Sequence, residues 1–152
     1  MAKYERFEDL PVWQEAARLY NAVLALLEEE RCPLSLGFRN QLDRAALSTS
    51  NNIAEGFERS STKELAGYLG IARGSAGEVR SMIATVKNRR RLAELKQHFV
   101  IIVRLAESCT RQITAWITSI ERSPVKGKRY RAQAGMEDSS TDAEDPARPT
   151  QL

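Results

Sequence analysis

The nitrogen and sulfur ligands that hold zinc are nearly missing from this chain, which has one histidine and two cysteines in 152 residues. Cys32 and Cys109 lie far apart and outside any ligand spacing, so no tetrahedral set can be drawn from them, and no metal or other cofactor is expected. Two free thiols in a reducing compartment, the cytoplasm, are the expectation instead. No apolar run approaches the roughly 20 residues that span a bilayer. The stretch Met1–Leu10 carries Lys3, Glu5, Arg6, Glu8 and Asp9, which is unlike a secretory signal. No strand-like alternation is sustained, and no internal repeat is visible. The glycines at Gly70-Ile71-Ala72-Arg73-Gly74 fall inside a helical pattern rather than after a strand, so they do not make a phosphate loop. Nothing resembles an enzyme active site, and the chain is expected not to be an enzyme.

What the sequence does contain is helical periodicity. At 42% hydrophobic and 28% charged residues it has a globular composition and the length of one domain. Four segments repeat apolar residues every three or four positions. The first runs from about Leu10 to Glu30, with Asp9 as cap, Pro11 in the first turn, and a seam of Trp13, Ala16, Tyr20, Val23 and Leu27; Cys32-Pro33 ends it. The second runs from about Leu36 to Glu55, capped by Ser35, with a seam of Leu42, Ala46, Thr49 and Ile53 and Gly56 as a left-handed stop. The third opens on Ser61-Thr62-Lys63-Glu64, a capping box in which Ser61 and Glu64 satisfy each other's free N–H groups. Its seam is Leu65, Leu69, Ala72, Ala76, Val79, Ile83 and Val86, and Asn88 closes it. The fourth runs from about Ala93 to Arg122 along Phe99, Ile102, Ala106, Cys109, Ile113, Trp116 and Ile120. Trp13 and Trp116 are expected core anchors. Short links between long amphipathic helices predict an all-α, antiparallel up-down-up-down four-helix bundle over residues 1–123. Residues 124–152 lose all periodicity and are expected to be a disordered tail.

Two helix faces exceed what a bundle needs. The third helix carries Gly67, Gly70, Gly74 and Gly77, each costing about 1 kcal/mol against alanine. With Ser81 and Ala84 they form a stripe almost opposite the leucine seam. Either the helix packs tightly within the bundle or is simply marginal, or the bare ridge is a subunit or partner interface. The second helix has a polar stripe of Gln41, Arg44, Ser48, Asn51 and Glu55. It is either a solvated face or, with Asn52, Ser75 and Glu78, a hydrogen-bonded network, in which case every buried member must be satisfied.

Charge is unevenly spread. Residues 1–30 hold three cations against seven carboxylates, while residues 62–92 hold seven cations against two. The basic excess peaks at Lys87-Asn88-Arg89-Arg90-Arg91, at the predicted turn between the third and fourth helices. Repeated arginines there are either solvated charge or a phosphate-binding surface, since guanidinium groups neutralise phosphates and release counterions. Lys126, Lys128, Arg129 and Arg131, with Tyr130 as a stacking aromatic, offer a second basic cluster in the tail.

Gln41-Leu42-Asp43-Arg44-Ala45-Ala46-Leu47-Ser48, Asn52-Ile53-Ala54-Glu55-Gly56-Phe57-Glu58-Arg59 and Leu69-Gly70-Ile71-Ala72-Arg73-Gly74-Ser75-Ala76-Gly77-Glu78 carry a family resemblance. So do the opening Phe7-Glu8-Asp9-Leu10 and Val12-Trp13-Gln14. Over roughly residues 4–122 the chain resembles the bacterial four-helix-bundle proteins found in intervening sequences of 23S ribosomal RNA genes. The resemblance implies a ring-like homo-pentamer with a link to RNA. A related group, the accessory variability determinants of diversity-generating retroelements, is similar in fold. It implies an alternative role as an adaptor for a reverse transcriptase. The expected function is nucleic-acid binding, RNA before DNA, by a homo-oligomer through its basic turn. A third alternative is catalysis, because Arg91 and His98 match the loose Arg-x(4–6)-His pattern of the HEPN ribonucleases, in which histidine acts as acid or base. Leu92 stands where that family has a polar residue, and the run of arginines makes a chance match easy.

Overall fold

The computed structural model describes residues 4–123. Four α-helices make up most of it: α1 (Pro11–Leu27), α2 (Leu36–Glu58), α3 (Thr62–Val86) and α4 (Lys96–Arg122), with 3-10 turns at Phe7–Asp9 and Arg90–Leu95. No strand occurs among the described residues. The tail, and with it the expected disorder of residues 124–152, lies outside them.

Local side-chain caps start two of the four helices. The Ser35 hydroxyl accepts the Phe38 N–H at 3.2 Å and starts α2, satisfying one of the donors a helix start leaves free. Ser61 does the same for Glu64 at 3.2 Å. The reciprocal half of the box differs from expectation: the Glu64 carboxylate accepts the Ser61 hydroxyl at 2.8 Å rather than a backbone N–H. Asp9 does not cap α1. It sits in the preceding 3-10 turn, Leu10 holds the cap position without a side-chain bond, and Pro11 occupies the first turn. The end of α1 at Leu27 is three residues short of the expected boundary, and the Arg39 guanidinium from α2 donates to the Leu27 carbonyl. A cation at that carbonyl end offsets the unpaired acceptors and the helix dipole.

Gly56 is not a helix stop. α2 runs through it to Glu58, and the glycine is buried. A Cβ there would lie 3.0 Å from the Tyr68 Cβ and 3.2 Å from the Leu65 Cδ1. The missing side chain lets α2 and α3 approach, which a local reading of helix stops does not reveal. The start of α4 also differs. Arg90–Leu95 is a 3-10 turn, and the α-helix begins at Lys96. Leu92 and Leu95, three residues apart, share one side of that turn and are both buried.

The core is one cluster. Every expected seam residue of α2, α3 and α4 is buried in it. On α1 the seam is rotated: Val12, Ala16, Leu19, Val23 and Leu26 are buried, while Trp13, Tyr20 and Leu27 sit at its margin. The aromatics gain more at the margin, where Tyr20 donates its hydroxyl proton to Asp43 at 2.9 Å and Trp13 packs on Phe7 with ring centres 5.3 Å apart. Trp116 is the core anchor expected, fully buried, with no acceptor for its indole N–H among the described residues. α1 packs on α2 and α4, and α3 packs on the same two, closing a four-membered ring of helices. Across the α2–α3 seam the paired residues are Gln41 with Glu78, Ser48 with Ser75 and Arg59 with Tyr68. Numbering therefore rises along one helix as it falls along the other. No described helix is long and apolar enough to cross a membrane.

Candidate nucleic-acid interface and assembly ridge

Lys87, Arg89, Arg90 and Arg91 are all exposed on the turn between α3 and α4. Three backbone hydrogen bonds shape the turn: Lys87 N–H to Ile83, Arg89 N–H to Val86 and Leu92 N–H to Arg89, each at 2.9 Å. Leu92 and Leu95 anchor it from below. The backbone is therefore held while four cationic side chains point away from the core. Among the described residues, none of the four forms an ion pair or a side-chain hydrogen bond. Arg80, by contrast, meets Glu107 at 3.3 Å.

Beside the turn lies a recess of about 360 Å³ between α3 and α4, lined in part by Lys87 and Asn88. Lys96 and Arg104 also line it. Reading along the sequence missed these two cations, because each stands alone in its stretch of chain. Their spacing of eight on one helix, with Val100 midway, is the signal that would have found them. Lys126, Lys128, Arg129 and Arg131 lie outside the described residues. α4 has 27 residues, about 40 Å at 1.5 Å each.

The glycine ridge is bare. A Cβ added at Gly67, Gly70, Gly74 or Gly77 would meet nothing within 4 Å, and Ser81 is exposed. Tight packing inside the protomer therefore does not account for these residues. Ile71, next to the ridge, is 54% exposed.

The polar stripe of α2 divides into three groups that tie α2 to α3. Gln41 donates to Glu78 at 3.0 Å. The hydroxyls of Ser48 and Ser75 are 2.9 Å apart, and the Asn52 amide donates to both the carbonyl and the hydroxyl of Ser48, at 2.8 and 2.9 Å. Glu55 pairs with Arg59, which donates to the Tyr68 hydroxyl at 2.8 Å and lies 5.0 Å from that ring's centre. Arg59 and Tyr68 are members that the sequence reading did not single out. Two expected members stand apart. Arg44 is exposed and makes no such contact among the described residues, and Asn51 is exposed at the edge of an open hollow near Glu55.

His98, on α4, is bonded to the connection that follows α1: its Nε2 lies 2.8 Å from Glu29 Oε1. Arg91 is on the 3-10 turn, and no hydrogen bond joins it to His98 among the described residues. Cys109 is fully buried, and burial pushes its thiol up to about 12, while Cys32 is half-buried. Among the described residues no three of histidine, cysteine, aspartate and glutamate gather closely enough to hold a metal ion.

A ring of four long helices around one apolar core, with a basic turn exposed at one end and a bare ridge on α3, defines a four-helix-bundle protein. Over residues 8–115 the chain matches the family model of the 23S rRNA-intervening sequence protein, and it belongs to that family. No curated protein matches the chain.

Proposed function

We propose that the protein is a homo-oligomer, five copies in a ring, that binds nucleic acid, RNA in preference to DNA, through the α3–α4 turn, and that it catalyses no reaction of its own. One observation carries the reading. Arg89, Arg90 and Arg91 are exposed, consecutive and, among the described residues, unpaired on a turn that Leu92 and Leu95 hold in place. Such a cluster costs self-repulsion, which a polyanion relieves. Arginine adds two-pronged contacts to phosphate oxygens. In a cyclic oligomer the turn recurs once per copy and becomes a ring of charge. Membership of a family found within ribosomal RNA genes favours RNA as the polyanion.

Assembly is supported by the open ridge on α3. Four glycines that the protomer does not need sterically are what a closely approaching second helix needs. The number five is what the family resemblance implies; the ridge supports association without setting the number. No feature of the described residues favours the reverse-transcriptase adaptor over this reading, and the engagement of His98 by Glu29 gives the ribonuclease reading no support.

The test uses the full chain. Light scattering gives the mass in solution, and fluorescence anisotropy with a labelled 20-nucleotide RNA gives affinity over a salt series. The expected result is an oligomer whose affinity falls steeply with salt, as log K against log[salt] does for phosphate binding. Changing Arg89, Arg90 and Arg91 together to Glu abolishes binding while leaving mass and helicity intact. Undiminished affinity in that variant would contradict the placement, and a monomer at every concentration would contradict the assembly.

A further inference from the structure

We propose that the recess between α3 and α4 receives one unpaired nucleobase, so that the protein's ligand is single-stranded rather than duplex nucleic acid. This rests on the nucleic-acid reading above and names the form of ligand that the same end of the bundle takes. The recess measures about 360 Å³, at the lower end of the roughly 300–1,000 Å³ of small-ligand pockets. Its floor is apolar, made by Ile83, Phe99 and Val103, and Val100 forms a wall that is 36% exposed. Its rim is cationic, lined by Lys87 just past the end of α3 and by Lys96 and Arg104 of α4. No carboxylate lines it.

That division into apolar floor and cationic rim matches a nucleotide. The faces of a base are apolar and suit the open aliphatic surface of Val100 and Val103 over the buried Ile83 and Phe99. Its edge carries donors and acceptors, and Asn88 offers both from one amide at the rim. The phosphates on either side of the base fall to the rim cations and to Arg89, Arg90 and Arg91 next along the chain. A duplex presents only phosphates to such a surface, because its bases are stacked inside; an unpaired strand presents both.

An acidic amphipathic helix is the other ligand an apolar, basic-rimmed recess suits, and the neighbouring surface speaks against it. To seat several turns, the helix would need the adjoining hollow of about 340 Å³, which shares Lys87 and Val103 with the recess. That hollow is walled by Glu107 paired to Arg80 and by Gly77 and Ser81 of the ridge assigned to a second copy. Charge complementarity to an acidic helix ends where the carboxylate begins.

The test is anisotropy with the full-length protein at one low salt concentration and three RNA probes of equal length: a single strand, the same strand with abasic sites throughout, and a perfect duplex. The single strand is expected to bind roughly tenfold more tightly than the abasic strand, as one sequestered base gives. Val100→Trp fills the recess from its exposed wall. It is expected to remove that tenfold gain while leaving duplex affinity and salt dependence as in the wild type. Asn88→Leu, on the exposed turn, is a second variant expected to erode the gain should the first not fold. Equal binding of intact and abasic strands, or preference for the duplex, overturns the recess and leaves the basic turn standing. No binding of any probe overturns both. An acidic helical peptide that binds the wild type and not Val100→Trp, with no base dependence among the strands, overturns the proposal in favour of a protein ligand.

Discussion

Cys109 lies wholly inside the bundle, and its thiol is pushed up to about 12 chiefly by burial, with the nearby Glu15 carboxylate adding to it. An unfolded thiol ionises near its ordinary value of 9.0. Because the folded value is the higher one, the neutral thiol's contribution is complete below pH 9 and is lost as pH rises from about 9 towards 12. The loss is about 1.4 kcal/mol per pH unit within that window. Tyr20 acts in the same direction at higher pH, since its hydrogen bond to Asp43 raises the phenol above 10.0. Urea unfolding at pH 8, 9 and 10 is expected to show the decline in the wild type. In Cys109→Ala the decline should shrink, on a baseline lower by about 1–2 kcal/mol at neutral pH. Parallel curves would refute the assignment. Gly56 gives a second prediction at this scale. Gly56→Ala is expected to destabilise the fold by about 1–3 kcal/mol through overpacking against Tyr68 and Leu65, measured as a fall in the urea midpoint without loss of helicity. At the residue scale the sequence was informative about caps such as Ser35 and Ser61, because a cap is chosen by neighbours three residues away. It misplaced Asp9 and Gly56, whose roles depend on what approaches from elsewhere in the chain.

Helices were the most legible level. The seams of α2, α3 and α4 were readable because burial on one face imposes a period of 3.6 whatever the partner is. On α1 the aromatic stripe of Trp13 and Tyr20 drew the reading about one residue off the true seam. Large amphipathic rings are apolar by composition, yet here they sit where their polar or edge contacts can be made. The start of α4 was misread because Leu92 and Leu95 continue an apolar spacing that a 3-10 turn also satisfies. The ridge of α3 is where an element-scale prediction belongs. Gly74→Leu meets no steric obstacle in the protomer, and leucine has the better helix propensity by up to about 1 kcal/mol. The variant is expected to keep or gain helicity by circular dichroism and thermal stability of the protomer, while light scattering shows loss of assembly. Unchanged mass would remove the ridge from the interface.

For the whole molecule, the decisive relations are between helices. The triple change at Arg89, Arg90 and Arg91 tests charge gathered at one end of the bundle, with loss of salt-sensitive binding and an unchanged fold expected from anisotropy and circular dichroism. The basic turn was visible in the chain, because its arginines are consecutive. The recess behind it was not, because Lys87, just past the end of α3, comes to line one recess with Lys96 and Arg104 only after the two helices pack. Asn88, read as a helix stop, becomes part of its rim. Of the polar stripe, Gln41, Ser48, Asn52, Glu55, Ser75 and Glu78 all take part in side-chain hydrogen bonds, but in three separate groups. Arg59 and Tyr68 join them from a distance of nine residues along the chain.

By itself the sequence determined the helices, their apolar faces, the basic turn and the family. Each of these is written in residues close together along the chain, where hydrophobic period, capping chemistry and charge density act locally. Only the tertiary structure decided that the glycine ridge is open, that Gly56 is a point of close approach, and that an apolar recess lies among cations from two helices. Those properties are distances between separate helices, set by how their side chains interlock in the core.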